Sequence, residues 1–153
     1  MSYFFTAGGT NLVITSALSE SSASAGASLT AAATDVAIYR IDPTPLHELR
    51  PLFSHARLDS LVSTFVRDCA ARVAHMASAA AATPPDWVTL QRHAHSLGGT
   101  AGSFGLHQVG QWASALSSAA KAQDAASTAQ LMQHITQGTE HGLAELLALH
   151  EAA

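Results

Sequence analysis

The chain has 153 residues, of which 48% are hydrophobic and 12% charged, with a net charge of −4 and only seven Lys and Arg. That is enough apolar chain for one cored domain with some excess. So few cations argue against a nucleic-acid or anionic-membrane partner, both of which need basic patches. The single cysteine, Cys69, excludes an internal disulfide and a cysteine-built zinc site.

No apolar run approaches the roughly 18 residues of a membrane-spanning helix. No Lys or Arg precedes Arg40, so the positive start of a secretory signal is missing. With one cysteine, these features lead us to expect a cytoplasmic protein. Residues 1–41 form a compositional zone of their own. Thr15 to Thr34 is mostly Ser, Ala, Thr and Gly, with Glu20 its one charge. Such a segment buries too little apolar surface to offset its backbone entropy, so a disordered leader is expected. Asn11 to Thr15 has strand composition without an obvious partner strand, and Ala31-Ala32-Ala33 suits a short helix.

A helical region is expected from 42 to 153. Pro45 suits the first turn of a short helix through Leu46, Leu49 and Leu52, capped by Thr44 and limited by Pro51. Leu58, Leu61, Val62, Phe65, Cys69, Val73 and Met76 then recur at three and four residues, the pattern of one helix face, from about Leu58 to Ala81. Thr83-Pro84-Pro85 ends that helix. Asp86, or Thr83 with Pro84 behind it, caps the next, which runs through Trp87, Leu90, Ala94, Leu97, Ala101 and Phe104 and breaks at Gly105. A third long helix spans about His107 to Ala122, with Val109, Trp112, Ala113, Leu116 and Ala120 inward. Gln123-Asp124 is a turn. The last helix runs from about Ala125 to Leu149, with Leu131, Ile135, Gly142, Leu146 and Leu149 inward. Four long amphipathic helices on short links predict an all-α, antiparallel four-helix bundle with a short extra N-terminal helix.

One stretch stands out, Leu90 to Leu106. At about 100° per residue, Leu90, Ala94, Leu97, Ala101 and Phe104 form a narrow apolar stripe, and His95 lies roughly 140° from its centre, facing solvent. Gly98, Gly99 and Gly102 follow His95 at three, four and seven residues, its neighbours on a helix surface. Each glycine inside a helix costs about 1 kcal/mol relative to Ala. Either the glycines clear the approach to an imidazole that something large must reach, or they serve tight helix packing.

The run His95-Ser96-Leu97-Gly98-Gly99-Thr100-Ala101-Gly102-Ser103-Phe104-Gly105-Leu106 resembles the active helix of the histidine-containing phosphotransfer (HPt) family. The match is close over about a dozen residues. It departs at Gly98, where the family most often has Lys, and at Ser117, near where many members carry Glu. The resemblance implies the same four-helix bundle. It also implies a phosphoryl group relayed between His95 and the aspartate of a response-regulator receiver domain, within a multistep two-component phosphorelay fed by a hybrid histidine kinase. Such a protein is a carrier and not an enzyme. It needs no cofactor of its own, because Mg²⁺ and the acidic pocket belong to the receiver.

The residues permit that chemistry. A phosphoryl-accepting histidine needs an exposed nitrogen, a neutral form at pH 7 and open ground for an in-line partner. Arg92, three residues before His95 and about 60° round the same side, can supply the cation that Gly98 lacks. Ser96, Thr100 and Ser103 are lesser hydrogen-bond donors. Gln91, Gly98, Gly99 and Gly102 are candidate partner contacts, while Leu106 and Val109 belong to the core. A four-helix adaptor that binds or sequesters receivers without phosphorylation is the alternative reading, and a monomer is expected.

Nine histidines raise the question of a metal. His93 and His95 are two apart and do not share a helix face, while His134 and His141 are two turns apart and lack further ligands. His93 falls at the edge of the apolar stripe, as a boundary histidine. His47, His55, His75, His107 and His150 read as surface residues. No strand precedes Gly98-Gly99 or Gly102-Ser103-Phe104-Gly105, which excludes a dinucleotide loop and a nucleophile elbow. With no ATP-binding motif, phosphate must come from another protein.

Overall fold

The computed structural model describes residues 2–7, 10–15 and 39–152. Two strands, β1 (Ser2–Ala7) and β2 (Thr10–Thr15), pair antiparallel with Ala7 opposite Thr10 and Ser2 opposite Thr15. This corrects the expectation of disorder for those residues and supplies the partner strand for Asn11–Thr15. The aromatic and β-branched run Tyr3 to Thr6, and Gly8-Gly9 between the strands, are the composition of a two-residue hairpin. Ala31-Ala32-Ala33 and the rest of the Ser/Ala-rich segment, 16–38, lie outside the described residues.

Five helices follow. They are α1 (Thr44–Leu49), α2 (His55–Ala81), α3 (Trp87–Thr100), α4 (His107–Lys121) and α5 (Ala125–Glu151). The four long ones form the expected antiparallel bundle, in which α2 neighbours α3 and α5, and α4 neighbours α3 and α5. Local chemistry sets their starts. Ser54, Asp86 and Asp124 are N-caps whose side chains accept the amide protons of Arg57, Thr89 and Ser127. The Thr89 and Ser127 side chains first, and then these amides, hold the Asp86 and Asp124 carboxyls below the usual range. The cap of α1 falls one residue earlier than expected, at Pro43, and Asp42 Oδ1 accepts from the Thr44 amide at 2.9 Å.

Leu46, Val73, Met76, Leu90, Leu97, Leu116, Ile135 and Leu146 are fully buried, so each long helix turns its predicted stripe inward. Cys69 is buried with them, and burial pushes its thiol up to about 12. Two predicted inner residues are not inside. Leu52 lies past the end of α1 and is 72% exposed, and Leu61 sits at the rim of its stripe. One predicted surface residue is inside: His150 is 5% exposed. The reason is periodicity: His150 follows Leu143, Leu146 and Leu147 at seven, four and three residues, and α5 runs on past Leu149.

The α3–α4 corner is a four-residue 3-10 turn, Ala101–Phe104, closed by Gly105 in the left-handed region at φ 88°. Phe104 stacks on Phe65 there at 4.3 Å. A strap, residues 39–42, crosses the same corner. The Asp42 amide donates to the Gly105 carbonyl at 3.0 Å, and the Ile41 amide donates to Glu145. Tyr39 donates its hydroxyl proton to Gln137 and stacks on His141. Ile41 is buried in the core, so the bundle's packing begins ahead of 42.

Candidate functional site

His95 occupies the middle of α3 between two buried turns, Ala94 and Leu97, which fix the helix against the bundle and leave the imidazole outward. It is exposed, and it makes no hydrogen bond, ion pair or ring contact with any described residue. The ring is therefore presented by the helix alone. Arg92, one turn earlier, is exposed on the same side, and Gln91 is half-buried beside it. Arg92 acts electrostatically on both Asp86 and His93.

The three glycines divide between the two expected roles. A Cβ on Gly99 would meet nothing within 4 Å among the described residues, so among them this position is open ground beside His95. A Cβ on Gly98 would come within 2.7 Å of Ser114 Oγ and 3.4 Å of the Gly110 carbonyl oxygen. One on Gly102 would meet the His107 ring at 3.3 Å. Gly98 thus lets α3 and α4 approach closely, with Gly110 as its counterpart, and Gly102, in the turn beyond α3, stands against the His107 ring. The readable signal was the small pair Gly110 and Ser114, four apart on one face of α4.

Among the lesser donors, Thr100 turns its hydroxyl back to the Ser96 carbonyl at 3.0 Å, while Ser103 is exposed. His93 is half-buried at the α2–α3 boundary, as its place on the stripe predicts, and stacks on His75 of α2 at 5.0 Å. Its buried Nδ1 finds no partner among the described residues. Burial first, then His75, Arg92 and Arg72, hold its pKa below the ordinary value. Arg72 and His75 of α2 and Arg92 of α3 thus surround His93, a grouping from two helices which sequence spacing along one helix does not show.

The sequence model of the Hpt domain matches residues 60–152. The chain belongs to the Hpt domain family. No curated protein and no solved structure matches it. The family assignment brings histidine phosphotransfer in phosphorelays as the general function and receiver domains and kinases as the general class of partner. Hpt domains are phosphocarrier modules. No helix among the described residues is long and apolar enough to cross a membrane.

Proposed function

We propose that His95 is the phosphoryl acceptor of this Hpt domain and that it exchanges its phosphoryl group with receiver-domain aspartates in the cytoplasm, the protein acting as a monomer. The observation that carries this is an exposed imidazole that makes no contact among the described residues, beside Gly99, where an added Cβ would meet none of them within 4 Å. The lone pair of a neutral imidazole nitrogen forms the N–P bond while the P–O bond to the receiver's aspartate breaks. The electrons of that bond leave with the carboxylate, and the ring proton stays on the other nitrogen. Nothing on α3 has to move, and the receiver brings the Mg²⁺ that neutralises the phosphoryl oxygens.

Arg92 is the cation that steadies the docked phosphoryl group. Position 98 lies toward α4 against Ser114, so a Lys there is replaced by a cation reaching in from the N-terminal side of His95. The outer surface of α3 around Gln91, Arg92, His95 and Gly99 receives the partner. Gly98 and Gly102 support it from behind.

The test is phosphotransfer from phosphorylated receivers to wild type and to His95→Gln, read as acid-labile, base-stable phosphate. Wild type labels and His95→Gln does not. Arg92→Ala labels more slowly while receiver binding is largely kept. A panel of receivers that binds the wild-type protein without labelling it would replace this reading with that of an unphosphorylated adaptor.

A further inference from the structure

Charge is divided unevenly along this chain. From Trp87 to Lys121, which takes in α3, the corner and α4, there is no Asp or Glu, and the cations are Arg92 and Lys121. All eleven acidic residues of this net-negative chain lie outside that stretch. The α3–α4 pair is therefore the cationic side of an otherwise acidic protein.

Three large hydrophobic side chains are exposed among the described residues, Leu52, Leu61 and Val88. Val88 is the most exposed of them, at 77%, and it belongs to α3. It precedes His95 by seven residues, two turns on the same helix face and about 10 Å along the axis. Val88, Arg92, His95 and Gly99, spaced by four, three and four residues, are all exposed and make one outer ridge.

The helix crossing places Lys121 beside that ridge. A Cβ on Gly98 would meet Ser114 Oγ, so positions 98 and 114 face each other between antiparallel α3 and α4. Gln91 lies seven residues before Gly98, and Lys121 lies seven after Ser114. The same register sets Lys121 opposite Gln91. Packed helix axes stand about 8–10 Å apart, so exposed Lys121 flanks Val88 on the α4 side, and Arg92 flanks it on the other. A protein–protein contact of standard size covers about 800 Å² per partner, a disc of about 16 Å radius. Centred on His95, it reaches all three side chains.

We propose that the receiver docks with an apolar side chain on Val88 and with carboxylates on Arg92 and Lys121 to either side. The inference rests on His95 being the phosphoryl acceptor, and it names what selects the partner: an apolar residue rimmed by acids. Burial of Val88 holds the complex together, while the two cations steer the acidic rim and fix its orientation. Val88 touches no reacting atom, so it governs how tightly the receiver is held and not the transfer within the complex.

The experiment follows transfer from a phosphorylated receiver to the full chain over a range of receiver concentrations. Val88→Ser raises KM about tenfold, the effect of losing one buried valine, and keeps kcat. Val88→Leu keeps KM at the wild-type value or lowers it. Lys121→Glu raises KM several-fold at low ionic strength, and the difference shrinks as salt is added. Exposed Val88 carries little of the fold, so Val88→Ser melts with the wild type. An unchanged KM in Val88→Ser overturns the proposal, as does a loss in kcat alone. A wild-type dimer in sedimentation that Val88→Ser dissociates assigns the patch to a second copy and also overturns it. Phosphoramidate, a small phosphoryl donor, separates this inference from the one beneath it. Wild type labelled by phosphoramidate, with Val88→Ser indistinguishable towards receivers, removes the docking surface alone. Wild type labelled by neither phosphoramidate nor receivers removes the role of His95, and the same variants are then read as receiver Kd.

Discussion

Gly98 and Gly99 are adjacent in sequence and answer to different surfaces. Gly99 borders His95 with nothing within reach of an added Cβ, whereas Gly98 is pressed against Ser114 and Gly110 at the α3–α4 crossing. The outer face of α3 is kept bare for a visitor, and the face turned to α4 is kept bare for a permanent neighbour. A glycine cluster beside a functional histidine thus need not serve function throughout. Part of it sets how closely the supporting helix packs, and so where the histidine stands.

The largest expected break lies on the packed side. Gly105 has φ 88°, and a Cβ there would run into the Asp42 carbonyl of the strap. Gly105→Ala should cost at least about 2 kcal/mol in denaturant unfolding, from backbone strain together with displacement of the strap. Native Cys69, buried and with its thiol raised to about 12, offers a second readout. Thiol reagent at neutral pH should leave it unmodified in wild type and react as the Gly105→Ala bundle opens.

A sharper division comes from leucine. Gly98→Leu should destabilise by about 1–3 kcal/mol through overpacking against α4. Gly99→Leu should leave the melting temperature unchanged or raise it, yet slow phosphotransfer from receivers. Equal loss of stability in both variants would show that the bare outer face is itself structural.

Alanine should resolve the same contrast more finely. Gly99→Ala should gain up to about 1 kcal/mol from helix propensity. Gly98→Ala should gain less, because Ser114 Oγ stands in its way, and the double change Gly98→Ala with Ser114→Ala should recover the difference. Additivity in that cycle would deny the contact.

The smallest effect concerns the boundary between the two faces, at His93. Its folded-state pKa is lowered, so the unfolded chain binds the proton more readily. The stability it contributes is full above about pH 6.5 and is lost as pH falls below that value. His93→Gln should flatten the acid side of a plot of melting temperature against pH, and an unchanged slope would remove the burial argument.

Periodicity of three and four carried most of the bundle. Leu58 to Met76, Leu90 to Phe104, Val109 to Ala120 and Ile135 to Leu146 all identify helices whose stripes are mainly buried, because burial of one face is a demand that each helix writes into its own residues. His95 was legible for the same reason: it lies opposite its stripe. The strand pair at Ser2–Ala7 and Thr10–Thr15 was legible as well, in Gly8-Gly9 between two apolar runs, but the Ser/Ala-rich composition further on outweighed it. His150 continued the α5 stripe one turn beyond the last leucine and needed only a longer window.

By itself the sequence determined the helices, the cap at Asp86, the break at Gly105 and the outward direction of His95. Each of these is settled within a few turns of one helix. The tertiary structure alone decided which glycine is open and which is packed, that α2 brings Arg72 and His75 to His93, and that Arg50 and His150, 100 residues apart in sequence, line one cavity. Those are contacts between helices. The rotation and spacing of two packed helices come from both surfaces at once, and neither sequence stretch carries the other's shape.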